Sequence, residues 1–289
     1  MPSPAVDIKD LDYVSLLLDS SFFTETPTAI FALFLLGLMR MLPLIAIIPF
    51  LGAKNLNRPA KIGMGIAFVL VLFPLLVMKT KAPLQWDISL IFLGFKEFFV
   101  GLTLGLFVSL PFHLTETAGI IIDHQRGASS LMVTDPVLQN QNAPTGVLLN
   151  LVALNIFFIV DGPFYFFDAL VKSYEILPPD QFLDPTFFKF GTPFYETAID
   201  LMNKEMTIAV QIAAPCLITM LMTDLFLGIA NRLAPQVMIT FLGMPLKSWM
   251  GIFILMLGWT FVLKELRVEQ LDWMNFLQEA VTWYGIGKT

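Results

Sequence analysis

Long apolar runs separated by short polar connectors make up most of this chain. Six runs approach or exceed the roughly 20 residues that a bilayer crossing needs at about 1.5 Å rise per residue. They are Thr28–Phe50, Ile62–Met78, Leu90–Phe112, Gly146–Leu170, about Ile208–Ala230 and about Ile239–Leu263. Their length and continuity predict an all-α protein of about six hydrophobic, partly broken helices. Pro43 and Pro49 predict a bend in the second half of the first run. Asp161-Gly162-Pro163 predicts a break in the fourth, because proline removes an amide donor and crowds the preceding turn.

One stretch interrupts the pattern, Thr117–Gly146, and it reads as a loop. It carries a polar knot (Asp123, His124, Gln125, Arg126), then Gly127, Ala128, Ser129 and Ser130. A second polar patch follows, Thr134-Asp135-Pro136 and Gln139-Asn140-Gln141-Asn142. Irregular polar backbone at membrane depth is tolerated only where protein buries it or where it lines a watery path. The stretch is therefore either a soluble connector or the functional centre. A second connector, about 172–204, is rich in aromatics and proline beside charges, which suits an interfacial segment. Residues 1–27 form an N-terminal segment, 28–263 the helical membrane domain and 264–289 a short mixed tail. The first 21 residues hold one lysine and four aspartates, without the basic flank of a cleaved signal peptide, so the segment is expected to stay on the mature protein.

Composition settles the class. Charged residues are 14% of the 289, against roughly 25% in soluble domains. Hydrophobic residues are 56%, and the mean hydropathy is +0.76. This is the composition of a polytopic membrane protein. A single cysteine excludes a disulfide framework or a cysteine metal cluster. The net charge of −6, with no run of Lys or Arg, argues against a nucleic-acid partner.

Ionisable residues inside apolar runs are costly and therefore candidates for function. Arg40, Glu97, Asp161 and Asp224 qualify, with Lys96 beside Glu97. Glu97, Gly101, Gly105 and Ser109 recur every four residues and share one helix face; Gly101 and Gly105 form a GxxxG pattern that admits a close helix. The residues support helix packing around a buried carboxylate, or a proton or ion relay through Glu97. Asp224, Gly228 and Arg232 form a similar stripe whose charges lie about 12 Å apart along a helix, so each looks elsewhere for a partner.

Catalytic readings find little support. Both histidines, His113 and His124, precede Ser129 on the same connector, so no serine–base pair is suggested. Asp161 and Asp224 lie in no matching aspartyl motif. His113-x-x-Glu116 with His124 is too unspecific a spacing for a metal site. No Walker A loop or GxGxxG is present, and no cofactor or metal is implied.

Three stretches together resemble a known family. They are Pro49-Phe-Leu-Gly52 with Arg58-Pro59-Ala-Lys61-Ile-Gly63; Ile122-Asp123-His-Gln125-Arg126-Gly127 with Asp135-Pro136; and Asp224-Leu-Phe-Leu-Gly228-Ile-Ala-Asn231-Arg232-Leu-Ala-Pro235-Gln236 with Gly243-Met-Pro245-Leu-Lys247-Ser248. Over roughly Thr28–Leu263 the chain resembles the T subunit of the bacterial type III secretion export apparatus, a relative of the flagellar biosynthesis protein FliR. Gln125-Arg126-Gly127 and Met244–Ser248 look like the virulence branch, while His124 stands where many relatives carry Asn.

The resemblance implies a non-enzymatic export-gate subunit in the bacterial inner membrane, within the basal body of the secretion system. One T copy would join R and S subunits around a channel for unfolded secreted proteins, with the U switch subunit and the V subunit beside it. A T-subunit loop plugs that channel in the family, and its match lies within Asp123–Asn142. Asp123, Gln125, Arg126, Gly127, Ser129 and Ser130 are then the expected plug residues. Arg40, Glu97, Gly101, Gly105, Asp224, Gly228, Arg232, Pro235 and Lys247 are expected at packing or intersubunit contacts. The alternatives are the flagellar export counterpart, or a secondary transporter with a midplane site at Glu97 and the broken fourth helix.

Overall fold

The computed structural model describes residues 27–52, 56–80, 84, 86–127, 143–183, 187, 192–233 and 239–285. These residues form helices and connectors and contain no strand. In chain order the helices are α1 (Pro27–Ile47), α2 (Arg58–Lys79), α3 (Ile88–Gln125), α4 (Pro144–Ile159), α5 (Gly162–Ile176), α6 (Pro193–Leu233), α7 (Ile239–Leu257) and α8 (Trp259–Thr282). The predicted all-α membrane architecture is what the chain adopts. By length and composition four helices can cross a bilayer: Thr28–Ile47, Arg58–Lys79, Ile88–Gln125 and Glu196–Leu233. Two bent pairs raise the number to six if each is one span, α4 with α5 (74°) and Gly243–Leu257 with Trp259–Gly285 (63°).

The chain divides into two compact units. The first takes its described residues from Met1–Ser109, Phe167–Thr192 and Leu277–Thr289; the second takes them from Leu110–Phe166 and Pro193–Phe276. In the first unit α1 and α2 pack antiparallel, with Gly37 facing Val69 and Leu76 while Gly65 faces Leu42 and Ile45. The α2 N-terminus is set by Asn57, whose side chain accepts the Ala60 amide at 3.3 Å, and by Pro59 in the first turn. Against α1 lies the first half of α3, running in the same direction: Gly101 meets the Arg40 carbonyl and Pro43, and Gly105 meets Leu44 and Ile47.

In the second unit the last part of α3 and α4 form an antiparallel hairpin. Its legs come closest where Gly119 faces Gly146, and a Cβ on Gly119 would overlap the Gly146 backbone. Phe112 and Phe157 stack edge to face at 5.3 Å lower down. Helices α6 and α7 form a second antiparallel pair, with Met220 beside Gly251 and Leu227 beside Gly243. A core of Leu114, Ala118, Ile122, Leu149, Ile212, Met220 and Leu266 joins helices α3, α4, α6 and α8.

Several boundaries differ from the sequence expectation, each for a local reason. The third run does not end near Phe112 but continues as helix to Gln125. No glycine turn or second proline interrupts it until Gly127, whose φ of +90° is the left-handed geometry that ends helices. Thr117–Gln125 is thus helix rather than loop. The connector 172–204 is helical at both ends, through Ile176 and from Pro193. The last run bends at Gly258, and α8 carries on through most of the tail to Thr282. Pro43 lies inside α1, whereas Pro49 opens a separate 3₁₀ turn, Pro49–Leu51.

The break after α4 falls at the residues that predicted it. Asp161 adopts φ +60°, and a Cβ on Gly162 would collide with the Phe157 ring. Pro163 then occupies the first turn of α5, where its missing amide costs nothing.

Candidate functional site

Two buried polar centres stand out, one in each unit. The first is built on Arg40 of α1, which is 0% exposed. Its Nε donates to Glu97 Oε2 at 2.5 Å, and its Nη2 donates to Glu97 Oε1 at 2.9 Å. The same Nη2 donates to the Leu177 carbonyl at 2.9 Å, and Nη1 donates to Ser173 Oγ at 3.0 Å. The guanidinium lies 4.0 Å from the centre of the Tyr174 ring, a cation–π arrangement. Lys96 Nζ donates to Glu97 Oε1 and reaches the Pro178 and Pro179 carbonyls at 3.0 and 3.4 Å.

Two cations therefore share one carboxylate, and backbone supplies the rest of the negative potential. Leu177, Pro178 and Pro179 follow the last residue of α5, where carbonyls lack intrahelical donors and the helix dipole is negative. Arg40 and Lys96 thus cap the α5 C-terminus while neutralising Glu97. Every hydrogen bond uses a group that would otherwise be stranded in apolar surroundings. This is a closed arrangement, with both Glu97 oxygens engaged.

The second centre joins the ends of α3 and α4. Asp123, 2% exposed, accepts the Thr145 amide on Oδ2 at 2.8 Å and the Thr145 hydroxyl on Oδ1 at 2.6 Å. Arg126 Nη1 donates to Asp123 Oδ1 at 3.0 Å and to Thr145 Oγ1 at 2.9 Å, while its Nε donates to Ser248 Oγ of α7 at 3.3 Å. Thr145 is the second residue of α4, so the Asp123 carboxylate satisfies an amide that the helix leaves open. Asp123 and Thr145 thereby tie the chain together on either side of residues 128–142.

The other expected site residues divide. Gly101 and Gly105 lie at the tight α1–α3 contact beside Arg40. Asp224 of α6 pairs with Lys247 of α7 at 2.5 Å, which gives the carboxylate a partner on a neighbouring helix. Gly228 has open space where a Cβ would be, and both it and Arg232 are exposed. Gln125 ends α3 and is half-buried; Gly127 supplies the turn after it. Ser129, Ser130 and Pro235 lie outside the described residues, as does the rest of the expected plug between 128 and 142. His113 approaches Glu116 at 4.0 Å. Among the described residues no three His, Cys, Asp or Glu side chains converge as metal ligands.

Sequence reasoning missed Ser173, Tyr174 and Thr145 as parts of these centres. Thr145 carried a usable signal, a threonine beside Pro144 at a helix start. Ser173 and Tyr174 carried none, because only the fold brings α5 to Arg40.

The family described as bacterial export proteins, family 1, matches residues 31–270. The Yop proteins translocation protein T of Yersinia pestis is 31% identical over 212 residues, 73% of this chain and 79% of the relative. The secretion system apparatus protein SsaT of Salmonella typhimurium is 28% identical over 83% of this chain and 92% of its own length. The flagellar biosynthetic protein FliR of Bacillus subtilis is 31% identical over 75% of this chain and 82% of its own. A match that runs through both polar centres and every helix from α1 into α8 places this membrane-embedded chain in the bacterial export proteins, family 1, with FliR and the T-type secretion proteins.

Proposed function

We propose that this chain is the T subunit of a virulence-type III secretion export gate, a non-enzymatic core component in the bacterial inner membrane. It forms, with R and S subunits, the channel for unfolded substrate proteins, and the U and V subunits are its further neighbours. Residues 128–142 supply the plug, and Asp123, Gln125 and Arg126, expected within it from the sequence, stand at its base instead, at the end of α3. The observation that carries this reading is the Asp123–Thr145 tie. Two antiparallel helices held together at their ends by a buried carboxylate present the intervening segment from a fixed base. A plug requires such a base, since a loop on a loose stem gains too much entropy on leaving the channel.

The family membership and the names of the relatives support an export role over a solute transporter. The geometry supports it too, because Glu97 has both oxygens committed to Arg40 and Lys96 and offers no free carboxylate for a midplane site. Secretion and flagellar relatives match at the same 31% identity. The virulence branch rests on Gln125-Arg126-Gly127 and Met244–Ser248.

Replacing Gly127–Ser130 with a shorter linker tests the plug. Cells carrying the assembled variant are expected to leak ions; unchanged membrane conductance overturns the plug role. Native mass spectrometry of the complex from gentle detergent tests the partners. One copy of this chain with several copies of two other small membrane proteins is expected, whereas a lone monomer or homodimer sinks the gate. Deleting the gene is expected to abolish effector secretion and spare motility; the reverse result assigns the chain to a flagellum.

A further inference from the structure

Arg126 stands where three helices of the second unit meet. It follows the last residue of α3, and its side chain reaches both α4 and α7. The aliphatic stem crosses α7 at Gly251, where a Cβ would lie 3.1 Å from Arg126 Cγ and 3.3 Å from Cδ. Met220 of α6 closes the same seat, its Sδ 3.1 Å from that Cβ. Ser248 and Gly251 are three residues apart and share one face of α7, so helix and arginine meet at two successive points. One is a hydrogen bond to Ser248 and the other a close packing contact at Gly251.

The bonds on the two sides of Arg126 are unequal. On the α3–α4 side it bonds the Asp123 carboxylate and Thr145, within a cluster whose distances are 2.6–3.0 Å. Toward α7 it makes one bond of 3.3 Å to a neutral hydroxyl. The Arg126–Asp123 bond has ionised groups at both ends, which makes the first set the stronger. Asp123 is buried, and removing its cation leaves an uncompensated charge. Arg126 therefore stays with the two helix ends, and a change at α7 is passed to them rather than absorbed by the arginine leaving.

We propose that Arg126 is a positioning residue that couples α7 to both ends of the 128–142 segment. Ser248 and Gly251 form the seat through which a shift or rotation of α7 reaches that segment. The consequence for the channel rests on the plug reading above; the coupling itself does not.

The test uses the intact export complex, with Ser129→Cys as a thiol probe in the segment. Cys216 is 2% exposed and adds little background. The rate of modification by a water-soluble maleimide is compared in Gly251→Leu, Gly251→Ala, Ser248→Ala and Ile252→Ala backgrounds. Ile252 is exposed on another face of α7 and serves as the control. Gly251→Leu is expected to change the rate at least threefold, with Gly251→Ala and Ser248→Ala shifting it less and Ile252→Ala leaving it unchanged. Adding Gly251→Leu to Asp123→Asn/Arg126→Ala is expected to have no further effect, because the coupling residue is gone.

Equal rates in the Gly251 and Ser248 variants, in complexes of normal composition, overturn the proposal, as does a full Gly251→Leu effect without Arg126. If Gly251→Leu does not assemble, the alanine variants decide on the same criterion. Failure of the plug reading is visible separately. Changed labelling with no leak from the shortened linker keeps the coupling and removes the plug. Unchanged labelling with a leaking linker does the opposite.

Discussion

Arg40 grips Glu97 with two prongs, Nε on Oε2 at 2.5 Å and Nη2 on Oε1 at 2.9 Å, and both side chains are wholly buried. They come from positions 57 residues apart, on α1 and α3. Removing one partner leaves a buried charge unpaired, which costs about 3–5 kcal/mol. Arg40→Met or Glu97→Gln is therefore expected to lower the accumulated, folded protein sharply. The pair Arg40→Met/Glu97→Leu loses less than the two single changes added together, although Lys96 is then left without its carboxylate. Denaturation of the detergent-solubilised complex measures both; strict additivity of the two losses argues against a coupled pair.

The two glycine stripes look alike in sequence and differ in space. At Gly101 a Cβ would collide with the Arg40 carbonyl and lie 2.9 Å from Pro43 Cγ, whereas Gly228 has open space. Gly101→Ala is expected to force α1 from α3 at about 1–3 kcal/mol, the usual cost of overpacking. Gly228→Ala leaves the isolated chain unchanged or more stable by up to about 1 kcal/mol, from helix propensity. Thermal unfolding of the two variants side by side reads the contrast. Equal destabilisation by both contradicts the α1–α3 contact.

Charge exchange tests the Asp224–Lys247 bond between α6 and α7. Asp224→Lys alone brings two cations together, and Lys247→Asp alone brings two carboxylates together. Either single change is expected to reduce secretion, and the double exchange is expected to restore a substantial part of it. Asp224 is 43% exposed at its side chain, so the bond in the separated chain is worth only about 0.2–1 kcal/mol. A double exchange no better than the single changes places the requirement for these residues elsewhere than in their mutual bond.

Asp161 is the one described non-glycine residue with a positive φ, +60°. Left-handed backbone costs an ordinary L residue roughly 1–2 kcal/mol, and aspartate somewhat less. Asp161→Gly is expected to be neutral or stabilising by up to about 1 kcal/mol. Asp161→Ile should destabilise, since a β-branched side chain tolerates that geometry poorly. Unfolding midpoints separate the two, and a destabilising Asp161→Gly would show that the carboxylate matters more than the turn.

Some of this was legible before any coordinates. The break at Asp161-Gly162-Pro163 was visible because proline and glycine act on their own backbone and need no neighbour. Arg40, Glu97 and Asp224 stood out because a charge in an apolar run demands compensation wherever the fold puts it. The end of α3 was not legible: Asp123–Gln125 read as a polar loop, yet each residue is compatible with helix once Thr145 and Arg126 satisfy the carboxylate. The bend at Gly258 was equally hidden, because a lone glycine in an apolar run is as often straight helix.

The sequence by itself determined the class, the number of apolar runs and the residues that had to find polar partners. Those follow from local rules, the length of a bilayer crossing and the cost of an isolated charge. The tertiary structure alone decided who the partners are. Glu97 takes Arg40 and Lys96, which also donate to the carbonyls after α5, Asp123 takes Thr145 and Arg126, and Asp224 takes Lys247 rather than Arg232 on its own helix. Apart from the neighbouring bonds Lys96–Glu97 and Asp123–Arg126, each pairing joins residues on different helices. Which helix faces which is set by packing over the whole chain, so no local pattern encodes it.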